Sequence, residues 1–295
     1  MTLPGAGAAT ARNLFKCLTL VTILAAVFAG VGWLIADTRG ATLFGFCAVL
    51  CAAGVYSIGD RTLLGMLGAR PLAVARDPGL RSTTDRVASQ LGVAAPRISV
   101  IEDGFPRALV VGRGPHSSTL VVSLGLLGAL PAAELEAVIA HELWHVRCRD
   151  VLTQTFAVLL ASTLVEASRI GGWLSRALLY ALGPVAAAFT HLMLSPRREL
   201  TADEAAAAIA GWEHTADALL RLDRASDLVQ FEASPATEPL YTVSPFDTND
   251  RLTRMFVTHP PLQRRVEALR AAGASGSPGS GRKAKPGASG SHPSV

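Results

Sequence analysis

The chain has 295 residues, of which 50% are hydrophobic and only 17% are charged, and its mean hydropathy is +0.36. This balance excludes an ordinary soluble globular protein and indicates a membrane protein that carries one soluble domain of typical size. The formal net charge of +4 does not predict a nucleic acid partner, because no basic helix or basic-aromatic strand pattern accompanies it.

Two apolar segments open the chain. The first runs from Leu14 to Ala36 and is long enough to span a bilayer, and the second, from Ala41 to Ile58, is near the lower limit for spanning. We therefore predict an N-terminal transmembrane hairpin within residues 1–60. A cleaved signal peptide is the alternative for the first segment, but the apolar run is longer than a usual signal core and a second span follows at once.

Basic residues predict the orientation of this hairpin. Arginine and lysine side chains flank both of its outer ends, whereas the connecting loop contains only Arg39. Because loops and ends rich in these residues stay on the cytoplasmic side, both ends of the hairpin are expected to face the cytoplasm.

Residues 61–150 are predicted to form the first part of a catalytic domain. Residues 80–91 have a helical pattern, and the runs RISVIE, RALVVG and STLVVS that follow Pro96 alternate like short strands, which indicates a small antiparallel sheet. After Gly128, the stretch ALPAAELEAVIAHELWHVRCRD predicts a strong helix, with Pro131 suited to its first turn.

The rest of the chain divides by composition into three segments. Residues 151–194 contain a second apolar helical pair, Val151 to Ser168 and Trp173 to Leu194, which either crosses the membrane or is buried. Residues 195–271 are expected to complete the catalytic domain, and the Gly-, Ser- and Pro-rich residues 272–295 to form a disordered tail. The predicted fold is a mainly α integral membrane protein, with a zincin-like catalytic domain that includes a small β-sheet.

The predicted strong helix carries a metal-binding pattern. His141, Glu142 and His145 form an HExxH sequence, and the spacing of four residues puts both imidazoles on one helical face, one turn apart. Glu142, next to the first histidine, is suited to act as the general base on a metal-bound water. The pattern therefore predicts one Zn²⁺ per chain, with His141 and His145 as two of its ligands.

A catalytic zinc site needs a third protein ligand, for which Glu199 is the best candidate. It lies in the stretch SPRRELTADEAAAAIAG, where small alanines favour a helix packed closely against the HExxH helix. Asp203, four residues later on the same face, is predicted to accept the outward N–H of a ligating histidine. The alternative for both carboxylates is a solvated acidic face balanced by Arg197 and Arg198.

Three motifs in this order resemble the HtpX-type membrane metalloproteases, gluzincins related to the endopeptidases that process prenylated CAAX proteins. The motifs are GLLGALPAAELEAVIAHELWHVRCRD, then SPRRELTADEAAAAIAG with its ExxxD spacing, and finally MFVTHPPLQRRVEAL, which includes Arg265. The resemblance covers roughly residues 10–270.

This resemblance implies zinc ligation by His141, His145 and Glu199 and a catalytic role for Glu142. It also implies multi-pass membrane helices, a proteolytic face in the cytoplasm and turnover of misfolded or damaged membrane proteins. Two departures bear on substrate preference and leave the metal-binding residues intact. Arg107-Ala108-Leu109 stands where relatives have an Asn-Ala-Phe type segment, and Leu200 stands where an aromatic residue usually follows the ligand glutamate.

Two further expectations concern the substrate. If the family geometry holds, the strand around Ser118 to Ser123 borders the cleft, so that an extended peptide could add to its edge through backbone hydrogen bonds. His259, in the THPP sequence, is a candidate hydrogen-bond donor to the oxyanion of the tetrahedral intermediate, the alternative being a structural histidine in a Pro-rich turn. The other histidines lack ligand spacing and are expected to be structural or solvated: His116, His191, His214 and His292.

The function predicted from the sequence is zinc-dependent endoproteolysis at the cell membrane, with protein or peptide substrates and the lipid bilayer as partners. One alternative is a regulatory protease for a single dedicated partner, and another is a signal transducer that binds zinc without turnover. Glu142 argues against the transducer, because a structural site needs only ligands and is usually closed by a fourth one. The sequence leaves the oligomeric state and the natural substrates open.

Overall fold

A long apolar helix, α1 (Ala6–Met66), opens the structure, a computed structural model that describes residues 6–73, 77–169, 175–228, 240–242 and 256–276. The backbone leaves helical geometry at Ala36 and at Asp37, which has a φ of 50°. A Cβ atom on Gly40 would lie 2.0 Å from the carbonyl oxygen of Gly32, so the chain turns back at Asp37 and its two halves pack closely.

Helix α1 has the length and composition of a membrane-spanning helix. Its most apolar window has a mean hydropathy of 2.3 and is only 11% buried against the rest of the described chain. Its second half packs through Leu63 onto the sheet and onto the helix that follows the HExxH sequence. The transmembrane hairpin of residues 1–60 stays a prediction, and the helix continues six residues beyond that boundary.

Helix α2 (Pro78–Leu91) confirms the helical pattern seen around residues 80–91. Asp77 caps its N-terminus by accepting a hydrogen bond from the backbone N–H of Leu80 at 2.8 Å. Gly92 ends the helix in the left-handed conformation that a residue without a Cβ adopts at low cost.

The sheet has four strands in the order β1-β2-β4-β3: β1 (Arg70–Pro71), β2 (Arg97–Ile101), β3 (Ala108–Gly114) and β4 (Ser117–Ser123). Strands β3 and β4 form an antiparallel hairpin, but β4 pairs in parallel with β2. The prediction of an antiparallel sheet is therefore wrong, because β4 returns between β2 and β3 and takes the place beside β2.

The same topology overturns the expectation that residues Ser118 to Ser123 form the strand edge at the cleft. Strand β4 is hydrogen-bonded on both sides, so its backbone groups have no capacity left for a substrate. The strands at the two edges of the sheet, among the described residues, are β3 and the two-residue β1.

Seven further helices follow the sheet in the described part of the chain: α3 (Leu124–Ala129), α4 (Ala132–Arg147), α5 (Asp150–Arg169), α6 (Ser175–Met193), α7 (Pro196–Ala210), α8 (Trp212–Asp227) and α9 (Leu262–Gly276). Helix α4 lies at the centre, between the sheet and helices α2, α7 and α8. Its residues from Ala137 to Val146 are buried without interruption. The face that carries the two histidines is therefore enclosed by protein.

Small side chains allow α7 to lie close to α4. Ala202, Ala205 and Ala206 are buried in the same core cluster as Ala137 and Leu143 of α4. This packing brings the first turn of α7, with Glu199, against the HExxH face.

Helices α5 and α6 correspond to the predicted second apolar pair and pack against each other. Whether this pair crosses a membrane stays a prediction. Helix α9 extends to Gly276, so the first five residues of the predicted disordered tail continue a helix instead. The remainder of that tail, including His292, lies outside the described residues.

Candidate metal centre and active site

Helices α4 and α7 bring three metal-ligating side chains together at the centre of the fold. One ligand atom from each of His141, His145 and Glu199 lies within 4.8 Å of the other two, and all three residues are buried. The two histidines share a face of α4 because four residues make about one helical turn. Glu199 meets them from the first turn of α7.

The distances between these ligand atoms suit a tetrahedral cation. The Nε2 atoms of His141 and His145 lie 3.3 Å apart, and Nε2 of His141 lies 3.3 Å from Oε2 of Glu199. Two nitrogens bound to one zinc at its usual bond length would be separated by about 3.4 Å. The structure thus holds the donor atoms at metal-binding separations.

Glu199 keeps an oxygen atom free for a ligand. Its Oε1 atom is buried and accepts no hydrogen bond, and Nε of Arg198, although 2.9 Å away, is not aligned to donate to it. The pKa of Glu199 lies well below its usual value: burial raises it, but the charges of His259 and Arg198 outweigh that effect. An anionic oxygen beside two imidazole nitrogens is the donor set of a catalytic metal site.

Asp203 stands behind the first histidine. Its Oδ1 atom lies 2.9 Å from Nδ1 of His141, on the side of the ring opposite the ligand cluster. Although burial lowers the pKa of His141, its contacts with Asp203 and Glu199 raise it to about 9. The surrounding carboxylates thus favour a positive charge at this position, as a metal ion would supply.

Arg265 of α9 fixes Asp203 through two parallel hydrogen bonds. Its Nε and Nη2 atoms each donate to the carboxylate at 2.7 Å, and its Nη1 atom donates to the carbonyl oxygen of Thr242 at 2.5 Å. Only 1% of the Arg265 surface is exposed, so the pair is fully removed from water. The late motif of the sequence therefore contributes to the site through Arg265.

Glu142 faces the same centre from α4. Its Oε1 atom accepts a hydrogen bond from Oγ1 of Thr242 at 2.8 Å, and the carbonyl oxygen of Ala108 on β3, 3.3 Å from the same hydroxyl oxygen, is the more distant alternative acceptor. Burial raises the pKa of Glu142 above its usual value, against the opposing charges of His141 and His145. A carboxylate with a raised pKa is suited both to accept and to return a proton near neutral pH.

A second carboxylate, which the sequence analysis missed, stands behind the other histidine. Oδ2 of Asp150 lies 3.2 Å from Nδ1 of His145. Burial raises the pKa of Asp150, but hydrogen bonding and charge from His145 outweigh it and lower the pKa overall. The spacing of five residues after the second histidine was the available signal, but only the tertiary turn shows that the two side chains meet.

His259 lies beside the ligand cluster without joining it. Its Nε2 atom is 3.4 Å from Oε2 of Glu199, and the residue is buried. Within the described part of the chain, the weaker candidates stay outside the group that could hold a metal: His116, His191 and His214.

A buried HExxH helix joined by a glutamate on a second helix, with a carboxylate next to the first histidine that is not part of the ligand cluster, defines the site of a metalloprotease. Comparison with known proteins leads to the same class. The chain matches the model of peptidase family M48 over residues 74–272. It therefore belongs to peptidase family M48, and the family requires a metal cofactor.

This chain aligns with nearly the whole length of several similar proteins. A protease HtpX homolog from Acidiphilium cryptum is 37% identical over 279 residues, which are 88% of this chain and 96% of that protein. Another from Pelotomaculum thermopropionicum is 33% identical, with 88% and 99% covered. These relatives confirm the resemblance to HtpX-type proteases, and with the long apolar helix they define a membrane metalloprotease.

A solved structure was also matched. Ste24p from S. mikatae covers 88% of this chain at 18% identity and a TM-score of 0.48, and this chain spans 66% of that protein. A TM-score of this size is too low to establish how far the two folds agree.

Proposed function

We propose that this protein is a membrane-bound zinc endopeptidase that hydrolyses peptide bonds of misfolded or damaged membrane proteins. The observation that carries the proposal is the convergence of His141, His145 and Glu199 within 4.8 Å, with Glu142 directly beside them. We assign the three as ligands of one Zn²⁺ and Glu142 as the catalytic base. Zinc bound there would polarise the scissile carbonyl and lower the pKa of a water molecule.

The residues around the metal divide the remaining work. Glu142 takes the proton from the attacking water and delivers it to the leaving amine, and its raised pKa favours this exchange. Thr242 holds the Glu142 carboxylate by its 2.8 Å hydrogen bond. Asp203, fixed by Arg265, orients the His141 ring.

His259 is our candidate donor to the oxyanion that forms during attack. It is buried and its Nε2 atom lies 3.4 Å from a ligand oxygen, which puts its N–H near the metal without making it a ligand. Such a position suits a group that stabilises negative charge in the transition state.

The outer side of strand β3 is our candidate docking edge for the substrate. The backbone N–H of Ser123 donates to the carbonyl oxygen of Arg107, and in an antiparallel pair the bonded positions alternate. Odd-numbered residues of β3 therefore face β4, and even-numbered residues face away. No strand pairs with that outer side among the described residues.

The outer edge of β3 begins at the proposed base. The Thr242 hydroxyl contacts both Glu142 and the carbonyl oxygen of Ala108, the N–H and C=O groups of Val110 come next along the same side, and the following outward carbonyl, that of Gly112, accepts a hydrogen bond from Thr155 at 3.5 Å. An extended peptide that pairs with Val110 would pass close to Glu142. Backbone pairing of this kind tolerates many sequences, as turnover of damaged proteins requires.

Membrane topology is part of the proposal. The apolar composition of α1, its reversal at Asp37 and the basic residues near both ends support a hairpin that crosses the bilayer twice, with the catalytic site in the cytoplasm. A regulatory protease that cuts a single partner would have the same site and is the alternative. Measuring cleavage of a broad set of unfolded proteins would distinguish the two.

The test combines metal analysis with cleavage of casein by detergent-purified protein. Wild type and Glu142→Gln are each expected to hold about one zinc, with cleavage in wild type alone. Glu136→Gln is the matched control, since Glu136 lies on the same helix but pairs with Arg86 away from the site. Cleavage by Glu142→Gln at the wild-type rate would refute the assignment, and zinc without casein cleavage in wild type would favour a dedicated substrate or a zinc-binding transducer.

A further inference from the structure

Each of the two proposed histidine ligands has a carboxylate at its outer nitrogen. Asp203 lies 2.9 Å from Nδ1 of His141, and Asp150 lies 3.2 Å from Nδ1 of His145. A partner at the outer nitrogen fixes the tautomer and orientation of a metal-binding imidazole. Arg265 holds Asp203 through two hydrogen bonds, and Asp150 requires a comparable partner if it is to fix His145.

A tight turn brings Asp150 back over the histidine. Helix α4 ends at Arg147, Cys148 caps it, and Arg149 adopts a left-handed conformation with a φ of 57° before α5 begins at Asp150. This conformation is uncommon for a residue with a side chain. The turn therefore needs an outside contact that stabilises it.

Asn13, near the start of α1, supplies that contact. Its Nδ2 atom donates a short hydrogen bond to Oδ1 of Asp150 and a second bond, of 3.1 Å, to the carbonyl oxygen of Cys148. One amide group thus holds both sides of the turn. Only 5% of Asn13 and 7% of Asp150 are exposed, so water cannot replace either bond easily.

We propose that Asn13 is a positioning residue of the metal centre. By fixing Asp150, it holds the ring of His145 in its metal-binding orientation, so that the first turns of the long apolar helix form part of the active site. The inference rests on the proposed zinc site, because it assigns an effect on metal affinity to a residue 132 positions before His145.

A neighbouring hydrogen bond of α1 provides a control that distinguishes positioning of Asp150 by Asn13 from general anchoring of α1. Lys16, one turn after Asn13, donates from Nζ to the carbonyl oxygen of Met193 at 2.9 Å. That bond joins α1 to the end of α6, and among the described residues Lys16 donates no hydrogen bond to a proposed ligand or to its carboxylate, its interaction with Asp150 being through charge alone. Lys16→Met is therefore the matched control for Asn13→Leu, which keeps the side-chain size but removes both donated hydrogen bonds.

The experiment measures the dissociation constant of Zn²⁺ by chelator competition with the full chain in detergent, together with its melting temperature. Asn13→Leu is expected to weaken zinc binding by up to about tenfold, the low end of the 10- to 100-fold cost of losing the outer partner itself, because Asn13 acts one contact further from the ligand. Lys16→Met is expected to stay within about twofold of wild type. Equal zinc affinity in wild type and Asn13→Leu, or an equal loss in both variants, would overturn the proposal.

A double-mutant cycle tests whether Asn13 acts through Asp150. Asp150→Ala alone is expected to weaken zinc binding by roughly 10- to 100-fold, and adding Asn13→Leu should change it little further. The full loss from Asn13→Leu in the Asp150→Ala background would show a separate structural effect and overturn the proposal. If Asp150→Ala does not fold, the comparison of Asn13→Leu with Lys16→Met still decides.

The metal content of the wild-type protein distinguishes failure of the proposed zinc site from failure of the proposed role of Asn13. Wild-type protein that binds no zinc would refute the proposed function itself. Wild-type protein that binds zinc while Asn13→Leu binds it equally well would refute only the role of Asn13.

Discussion

At the scale of single residues, the site depends on a buried chain of polar contacts. Arg265 bonds both Asp203 and Thr242, and these reach His141 and Glu142 respectively. The buried guanidinium charge of Arg265 is compensated, because two carboxylate oxygens and one carbonyl oxygen accept its hydrogen bonds. Removing this one side chain would leave Asp203 buried without its counter-charge.

We expect Arg265→Met to lower the free energy of unfolding by about 3 to 5 kcal/mol, the usual cost of removing one partner from a buried ion pair. Thermal and denaturant unfolding of the detergent-solubilised protein would measure the loss. Arg264→Met is the control, since its neighbour Arg264 is exposed on the same helix. A cost below about 1 kcal/mol would contradict the buried-pair interpretation.

Residue-level prediction from the sequence depended on local spacing. His141, Glu142 and His145 fall on one helical turn, and the structure brings Glu199 to them as the ExxxD spacing indicated. Their chemical roles stay proposals. Asn13 could not be found in this way, because its hydrogen bond to Asp150 joins positions 137 residues apart and depends on how α1 docks.

At the scale of elements, the reversal of α1 depends on two glycines. A Cβ on Gly32 would lie 2.2 Å from the carbonyl oxygen of Gly40, and one on Gly40 would lie 2.0 Å from that of Gly32. Such backbone approach is typical of helices that associate in membranes through small residues. Neither half can accept a larger side chain there without moving apart.

Gly40→Ala is therefore expected to destabilise the packing of the two halves of α1, with a lower melting temperature and faster limited proteolysis. Gly30→Ala is the matched control, because a Cβ at Gly30 meets nothing within 4 Å. The control should leave both measurements unchanged or slightly improved, since alanine favours helix over glycine. Equal behaviour of the two variants would exclude the close glycine contact.

Three of the four strands were predictable, but the short β1 and the arrangement of the sheet were not. Alternating apolar residues located β2, β3 and β4 to within one or two residues. Alternation reports which face of a strand is buried and contains no information on the direction of its neighbour. The parallel pairing of β2 with β4, and therefore the identity of the edge strands, required the tertiary structure.

At the scale of the whole molecule, the proposed metal ion would link helices that are distant in the sequence. It would join α4 to α7 across the intervening α5 and α6, and three buried side chains would provide its ligands. A ligand that binds only the folded state stabilises that state in proportion to its affinity.

We expect removal of the metal by a chelator to abolish proteolysis and to lower the melting temperature by several degrees. Bound ligand at 1,000 times its dissociation constant contributes about 4 kcal/mol. Differential scanning fluorimetry with and without added zinc would follow the change, and the Glu142→Gln variant should show the same shift because its ligands are intact. Proteolysis that persists after confirmed metal loss would contradict the metalloprotease assignment.

The order in which the site residues leave the ribosome has a consequence for the cell. His141 and His145 emerge first, Glu199 follows only after α5 and α6, and the Arg265 that fixes Asp203 comes last. A nascent chain consequently lacks the complete proposed site until Arg265 has been synthesised, well after α1, α5 and α6. These apolar helices would therefore leave the ribosome before the chain that carries them could cleave peptide bonds.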